Sequence, residues 1–307
     1  MLFFLLLFVA TPAFAAPIFL QQWGTLGSAA GQLNRPHTIA VGPDGSIYVG
    51  DTGNDRLQKF TASGAFVAQW PILCAGFCVD PNDRIVAAHP EANQVAIYDA
   101  AGAEVARWGT TGTAPGQLKS PYDVALDDSG HVYVTDYSNH RVQVFTLDGT
   151  FLRAWGALGS APGQFWYPAG IAIGAEGHVF VAENNNHRVQ EFTRDGEFVA
   201  MWGSAGTAPG QFDTPNFLGT DTRGHVYVAD QDNSRIQAFD AGGLFRTAWG
   251  GLGATAGKFQ FPGDVAVDAQ GFIYVADTDN HRIQKFAPDA TPALPTTLGR
   301  VKAGYRE

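Results

Sequence analysis

Two of the eight histidines in the 307-residue chain stand outside any recurring pattern: His37, in Arg35-Pro36-His37-Thr38, and His89, in Ala88-His89-Pro90. Two imidazoles and one carboxylate can hold zinc and leave a position open for water or substrate. Asp123 and Asp264 are the carboxylates that could complete such a site, which makes His37, His89 and Asp123 the candidate metal set. The other six histidines recur in register. His131, His178 and His225 follow a turn glycine, and His140, His187 and His281 each stand between Asn and Arg. The only cysteines are Cys74 and Cys78. In an extended chain their Cα atoms lie about 13 Å apart, too far to bridge, so a disulfide requires the chain to curl before the strand. Cys78 shares a repeat column with Ala40, Ala125, Ala172, Gly219 and Ala266, and is expected to be a buried structural thiol. No Gly-x-Ser-x-Gly elbow, Walker sequence or His-Glu-x-x-His pair is present.

The elements that must position these residues are set by a repeat. Six of the seven tryptophans fall at Trp23, Trp70, Trp108, Trp155, Trp202 and Trp249, in steps of 47, 38, 47, 47 and 47 residues. Each unit reads Trp-Gly, a glycine loop ending in Gly-Gln, a Pro, an apolar strand, a turn, Ile/Val-Tyr-Val, Asp-x-x-Asn-x-Arg and a closing strand. In the first unit Thr38-Val41, Ile47-Val49, Arg56-Phe60 and Ala65-Trp70 are short, β-rich and bounded by turns. Asp44-Gly45, Ser129-Gly130, Glu176-Gly177, Arg223-Gly224 and Gln270-Gly271 join strands one and two. Four-stranded units that cannot bury both faces alone close radially. The fold expected is all-β, a six-bladed propeller of four-stranded antiparallel blades. The last unit stops at Phe286 without a fourth strand, and Pro17-Ile18-Phe19-Leu20-Gln21-Gln22-Trp23 matches that missing column, so residues 17–23 are expected to complete blade six.

Composition narrows the partners. With 45% hydrophobic and 16% charged residues the chain can bury a core, and 37 glycines with 17 prolines fit many turns. Nineteen Lys and Arg against 29 Asp and Glu give −10, which repels a phosphate backbone, so no nucleic-acid partner is expected. Residues 1–16 carry no charged side chain, run apolar from Leu2 to Ala10 and end in Ala13-Phe14-Ala15, the pattern of a secretory signal peptide. The protein is therefore expected to be secreted or periplasmic, with no membrane span in the mature chain. Residues 17–287 form the propeller, and 288–307, with Pro288, Pro292 and Pro295, read as a flexible C-terminal tail.

Asp277-Thr278-Asp279-Asn280-His281-Arg282, after Gly271-Phe272-Ile273-Tyr274-Val275-Ala276, closely resembles the NHL repeat. Asp51-Asn54-Arg56, Asp136-Asn139-Arg141, Glu183-Asn186-Arg188 and Asp230-Asn233-Arg235 extend the resemblance over nearly the whole chain. It implies a six-bladed propeller and little chemistry, because this family ranges from RNA-binding modules to the zinc-dependent peptidylglycine amidating lyase. In that lyase a Pro-His opening an inner strand supplies a zinc ligand. Pro36-His37 matches it, whereas Pro121-Tyr122, Pro168-Ala169, Pro215-Asn216 and Pro262-Gly263 do not. Lactonase-type propellers hold a central calcium with acidic and amide side chains, for which Asp123, Asn216 and Asp264 would be the matching set. Repeated Asp-x-x-Asn-x-Arg is expected to hold strand ends and interblade contacts.

Blade two breaks the repeat. It is nine residues short between Trp70 and Cys74, and His89, Ala92 and Gln94 replace the Asp, Asn and Arg columns. Positions opening the inner strands vary while the strands beside them repeat, as a binding mouth on a rigid scaffold would. The candidate ligand-binding residues are His37, His89, Tyr122, Asp123, Asn216, Phe217 and Asp264, around the channel mouth near blades one to three. The expected function is a non-catalytic binding scaffold for a small molecule, peptide or envelope component. The alternative is a metal-dependent lyase or hydrolase, with zinc or calcium, at the same mouth.

Overall fold

A computed structural model describes residues 15–287. The leader and the tail expected at 1–16 and 288–307 lie outside those residues, apart from Ala15 and Ala16. Each blade is a four-stranded antiparallel sheet in chain order. In blade one these are Pro36–Val41, Ile47–Asp51, Arg56–Phe60 and Phe66–Trp70. Closure follows the sequence expectation: Phe19–Trp23 pairs antiparallel with Arg282–Phe286, with Trp23 opposite Ile283, and becomes the outer strand of blade six. Among the described residues no helix is long and apolar enough to cross a membrane.

The core lies between blades. Tyr227 and Ile236 of blade five pack with Val265, Ile273 and Phe286 of blade six, and the closing Phe19 joins them. Equivalent layers fill the other junctions, so each blade is stable only with neighbours. The tryptophan spacing has a steric cause: the Trp23 ring lies over Gly64 of the next blade, where φ is +81° and an added Cβ would approach the indole to 2.7 Å. Only glycine satisfies both demands.

The Asp-x-x-Asn-x-Arg motif proves to be a loop clamp. Asp51, fully buried, accepts hydrogen bonds from Asn34 N, Asn54 Nδ2, Arg56 Nε and Gln58 Nε2. Arg56, Asn54 and Gln58 then reach the carbonyls of the glycine loop: Ser28, Ala29 and Gln32, Gly27, and Gln32 respectively. Blade two lacks the loop, so these donors would have no acceptors, and all four clamp positions change together. Ala96 stands in the Gln58 column, and Tyr98, where other blades have Phe, places its hydroxyl 3.0 Å from His89 Nε2. The histidines that stand between Asn and Arg are interblade latches, whereas His131, His178 and His225 pair with Asp127, Glu191 and Asp221 of their own blades. Nδ1 of His140, His187 and His281 accepts the backbone N–H of Tyr167, Thr214 and Arg35, a role Asn93 Oδ1 fills for Ser120.

Candidate functional site

Inner strands run along the central channel and open at the face carrying the glycine loops. In every blade but the second the inner strand begins with a register break: Tyr122-Asp123 falls between the paired residues Pro121 and Val124, Asn216-Phe217 between Pro215 and Leu218, and His37 between Pro36 and Thr38. A bulge frees side chains from strict alternation and re-aims them. That is why the variable residues gather here.

A cavity of about 600 Å³ lies over blade two, in the space left by the missing loop. His37, His89 and Tyr122 line it together with Leu73, Cys74 and Ala75. A second cavity, about 300 Å³, shares Arg35, His37 and Tyr122 with the first and extends to Tyr137, Asn184, Asn216 and Gln231. Phe217 forms the floor: only 2% exposed, it stacks on Tyr122 at 5.3 Å between ring centroids and meets the His37 ring edge-on at 5.5 Å. From Tyr122 an aromatic ladder climbs through Tyr137 and Tyr167, with centroid spacings of 5.1 and 4.7 Å. Its upper end comes from the segment bearing Trp166, the tryptophan outside the repeat spacing, which is 44% exposed.

Burial, helped by the nearby Arg35 guanidinium, lowers the His37 pKa to about 4, and Asn216 Nδ2 lies 3.3 Å from its Nε2. Burial and then Arg107 lower His89 to about 4 as well. Both rings are neutral near pH 7. Burial raises the Tyr122 hydroxyl to about 12 and the Cys74 thiol to about 12, so neither is a ready nucleophile.

Asp123 and Asp264 correct the expected site. Neither lines the two mouth cavities. They lie below Phe217, in a chamber of about 330 Å³ bounded by Ile39, Val124, Ile171 and Val265. Asp123 accepts the N–H groups of Val124 and, in the next blade, Ile171; Asp264 does the same for Val265 and Ile39. The two carboxylates therefore stitch neighbouring inner strands, at the junctions of blades three and four and of blades six and one. Burial raises Asp123 to about 7, and burial together with the Asp123 charge holds Asp264 well above the usual carboxylate range.

The metal sets are not assembled. Among the described residues no three His, Cys, Asp or Glu groups come together in a way that could hold a metal ion. His37 faces Asn216 and Phe217, His89 faces Tyr98, and Asp123 is occupied by backbone donors, so the zinc triad does not fit. Asp123 and Asp264 are parted from Asn216 by the Phe217 floor, so the calcium set does not fit either. Both cysteines are free thiols; it is Cys74 that is buried, whereas Cys78 is half-buried and lines the lower chamber. Sequence reasoning missed Tyr137, Asn184 and Gln231. They occupy the column after the clamp acid, where Thr52, Pro90, Tyr137, Asn184, Gln231 and Thr278 vary as the inner-strand openings do.

These features define a six-bladed β-propeller with a closed ring and an asymmetric mouth. The NHL repeat model matches residues 33–60, 118–145, 165–192, 212–239 and 259–286, one match in every blade except the irregular second. The chain thus carries NHL repeats in five of its six blades. It is similar to the protein brain tumor of Drosophila melanogaster, 29% identical over 137 residues, a match covering 39% of this chain and 12% of that protein. Among solved structures it resembles a streptogramin B lyase, with TM-score 0.62 and 16% identity over 87% of this chain and 96% of that one. A gluconolactonase from Xanthomonas campestris gives TM-score 0.65 and 15% identity over 91% and 99%. At such identities these two likenesses concern the fold alone.

Proposed function

We propose that the protein is an exported binding propeller that holds a small molecule, a peptide or an envelope component in its mouth without transforming it. One observation carries this reading: where the repeat loses a loop and its clamp, a cavity of about 600 Å³ opens, continuous with the variable inner-strand positions. Concave, largely apolar sites with a few convergent polar groups are the usual form of ligand pockets. The neutral imidazoles, the protonated tyrosine and thiol, and the absence of a carboxylate among the inner-strand residues lining the mouth favour binding over acid-base chemistry. The uncharged apolar leader at Met1 to Ala16 supports export. A thermal-shift screen of small molecules and peptides should yield ligands that no longer stabilise an Ala75→Trp variant, in which an indole fills the larger cavity. Ligands stabilising both proteins equally would place the binding surface elsewhere.

A further inference from the structure

Resting on that reading of the mouth, we infer that the ligand is an uncharged amphiphile, with its apolar body over blade two and a hydroxyl-rich end, such as a sugar, among the side chains of blades three to five. The two cavities differ in chemistry along one line. Over blade two the walls are Leu73, Cys74, Ala75, Pro90 and Ala92, which reward apolar contact. Across His37 and Tyr122 the lining changes to the neutral hydrogen-bonding groups Tyr137, Asn184, Asn185, Thr214, Asn216 and Gln231.

Charged side chains are confined to the rim. The Arg35 guanidinium at the rim lies 3.2 Å from the Asp279 carboxylate, and Glu91, also at the rim, is exposed to solvent. An ionic group seated below that rim would lose its hydration and find no charged side chain among Leu73, Cys74, Ala75, Tyr122, Asn184 and Asn216 to replace it. A hydroxyl-bearing group gains a partner instead. Asn216, 3% exposed, turns its amide N–H toward His37, and its Oδ1 is buried without any hydrogen-bond donor. Buried carbonyl oxygens are normally paired, so this one marks where a ligand donor belongs. Beside it the ladder of Tyr122 and Tyr137, whose faces are taken up by stacking on Phe217, Tyr167 and each other, offers aromatic edges against which the C–H surface of a sugar ring can lie.

The test is titration calorimetry with three probes that share one tail: hexyl β-glucoside, hexanoate and hexylammonium. The glucoside should bind at least tenfold more tightly than either ion. Asn216→Leu should weaken it at least tenfold, and Ala92→Trp, at an exposed position on the apolar wall, should weaken all three probes. Melting temperatures of both variants check that they fold, and the Ala92 variant stands alone if the Asn216 variant does not. If an ion binds as tightly as the glucoside and Ala92→Trp still removes it, the uncharged ligand is wrong and the mouth remains the site. If the glucoside binds and neither variant affects it, the mouth itself is wrong. No binding by any probe at millimolar concentration overturns the inference while leaving the wider screen above to judge the mouth.

Discussion

Asp123 looks in the sequence like a metal ligand and serves in the structure as a backbone acceptor between blades three and four. Residue type suggested the first role; only the bulge that turns Asp123 toward Ile171 explains the second. Its raised pKa has a consequence for stability. The folded chain keeps a proton on Asp123 up to about pH 7, whereas the unfolded chain releases it above about pH 4. Folding therefore takes up a proton in that window, and the contribution of Asp123 to stability falls as pH rises through it. Asp123→Asn keeps one acceptor and cannot ionise. Its cost relative to wild type, measured by urea unfolding, should shrink by about 2 kcal/mol between about pH 5 and about pH 8, since each pKa unit is worth about 1.4 kcal/mol. A gap that does not change with pH would mean that the carboxyl titrates normally. Comparing the two proteins cancels the many carboxylates whose pKa values lie below the ordinary range, such as Asp221.

At the scale of elements, the glycine loop and the clamp acid form one unit. The recurrence of Asp-x-x-Asn-x-Arg was visible in the chain, and so was its loss in blade two. That the two losses have one cause was not, because the link is a set of side chain to carbonyl hydrogen bonds across about 27 residues of sequence. Asp136 holds the N–H of Lys119, Asn139, Arg141 and Gln143 at once. Asp136→Ala leaves the half-buried Arg141 guanidinium without its counter-charge and the Lys119 N–H without its acceptor, and should cost about 3 kcal/mol. His89→Ala, which releases one hydrogen bond to Tyr98 at a half-buried site, should cost about 1 kcal/mol. Denaturant midpoints of the two variants check the difference. Equal losses would show that the clamp is not what secures the loop.

At the scale of the molecule, the ring is held by its first strand. Ile18 O accepts the N–H of Ala287, and Phe19 packs edge-on against Phe286 at 6.0 Å. A chain beginning at residue 17, the product expected from leader removal, should melt with the full-length protein. One beginning at residue 24 should lose at least about 10 °C or fail to fold, because removing that strand exposes the edge of blade six and part of two interblade layers. N-terminal sequencing of exported protein identifies which start occurs naturally, and an unchanged melting temperature for the shorter chain would refute closure by this strand. Blade number, strand order, the closing strand and the irregular second blade were all fixed by the amino-acid order, since a repeat records its hairpins, its turn glycines and its packing tryptophans locally in each copy. The division of the variable column into a mouth above Phe217 and a carboxylate chamber below it was decided only by tertiary structure. It depends on bulges at the strand openings and on residues from opposite blades meeting at the axis, and neither leaves a periodic trace in the chain.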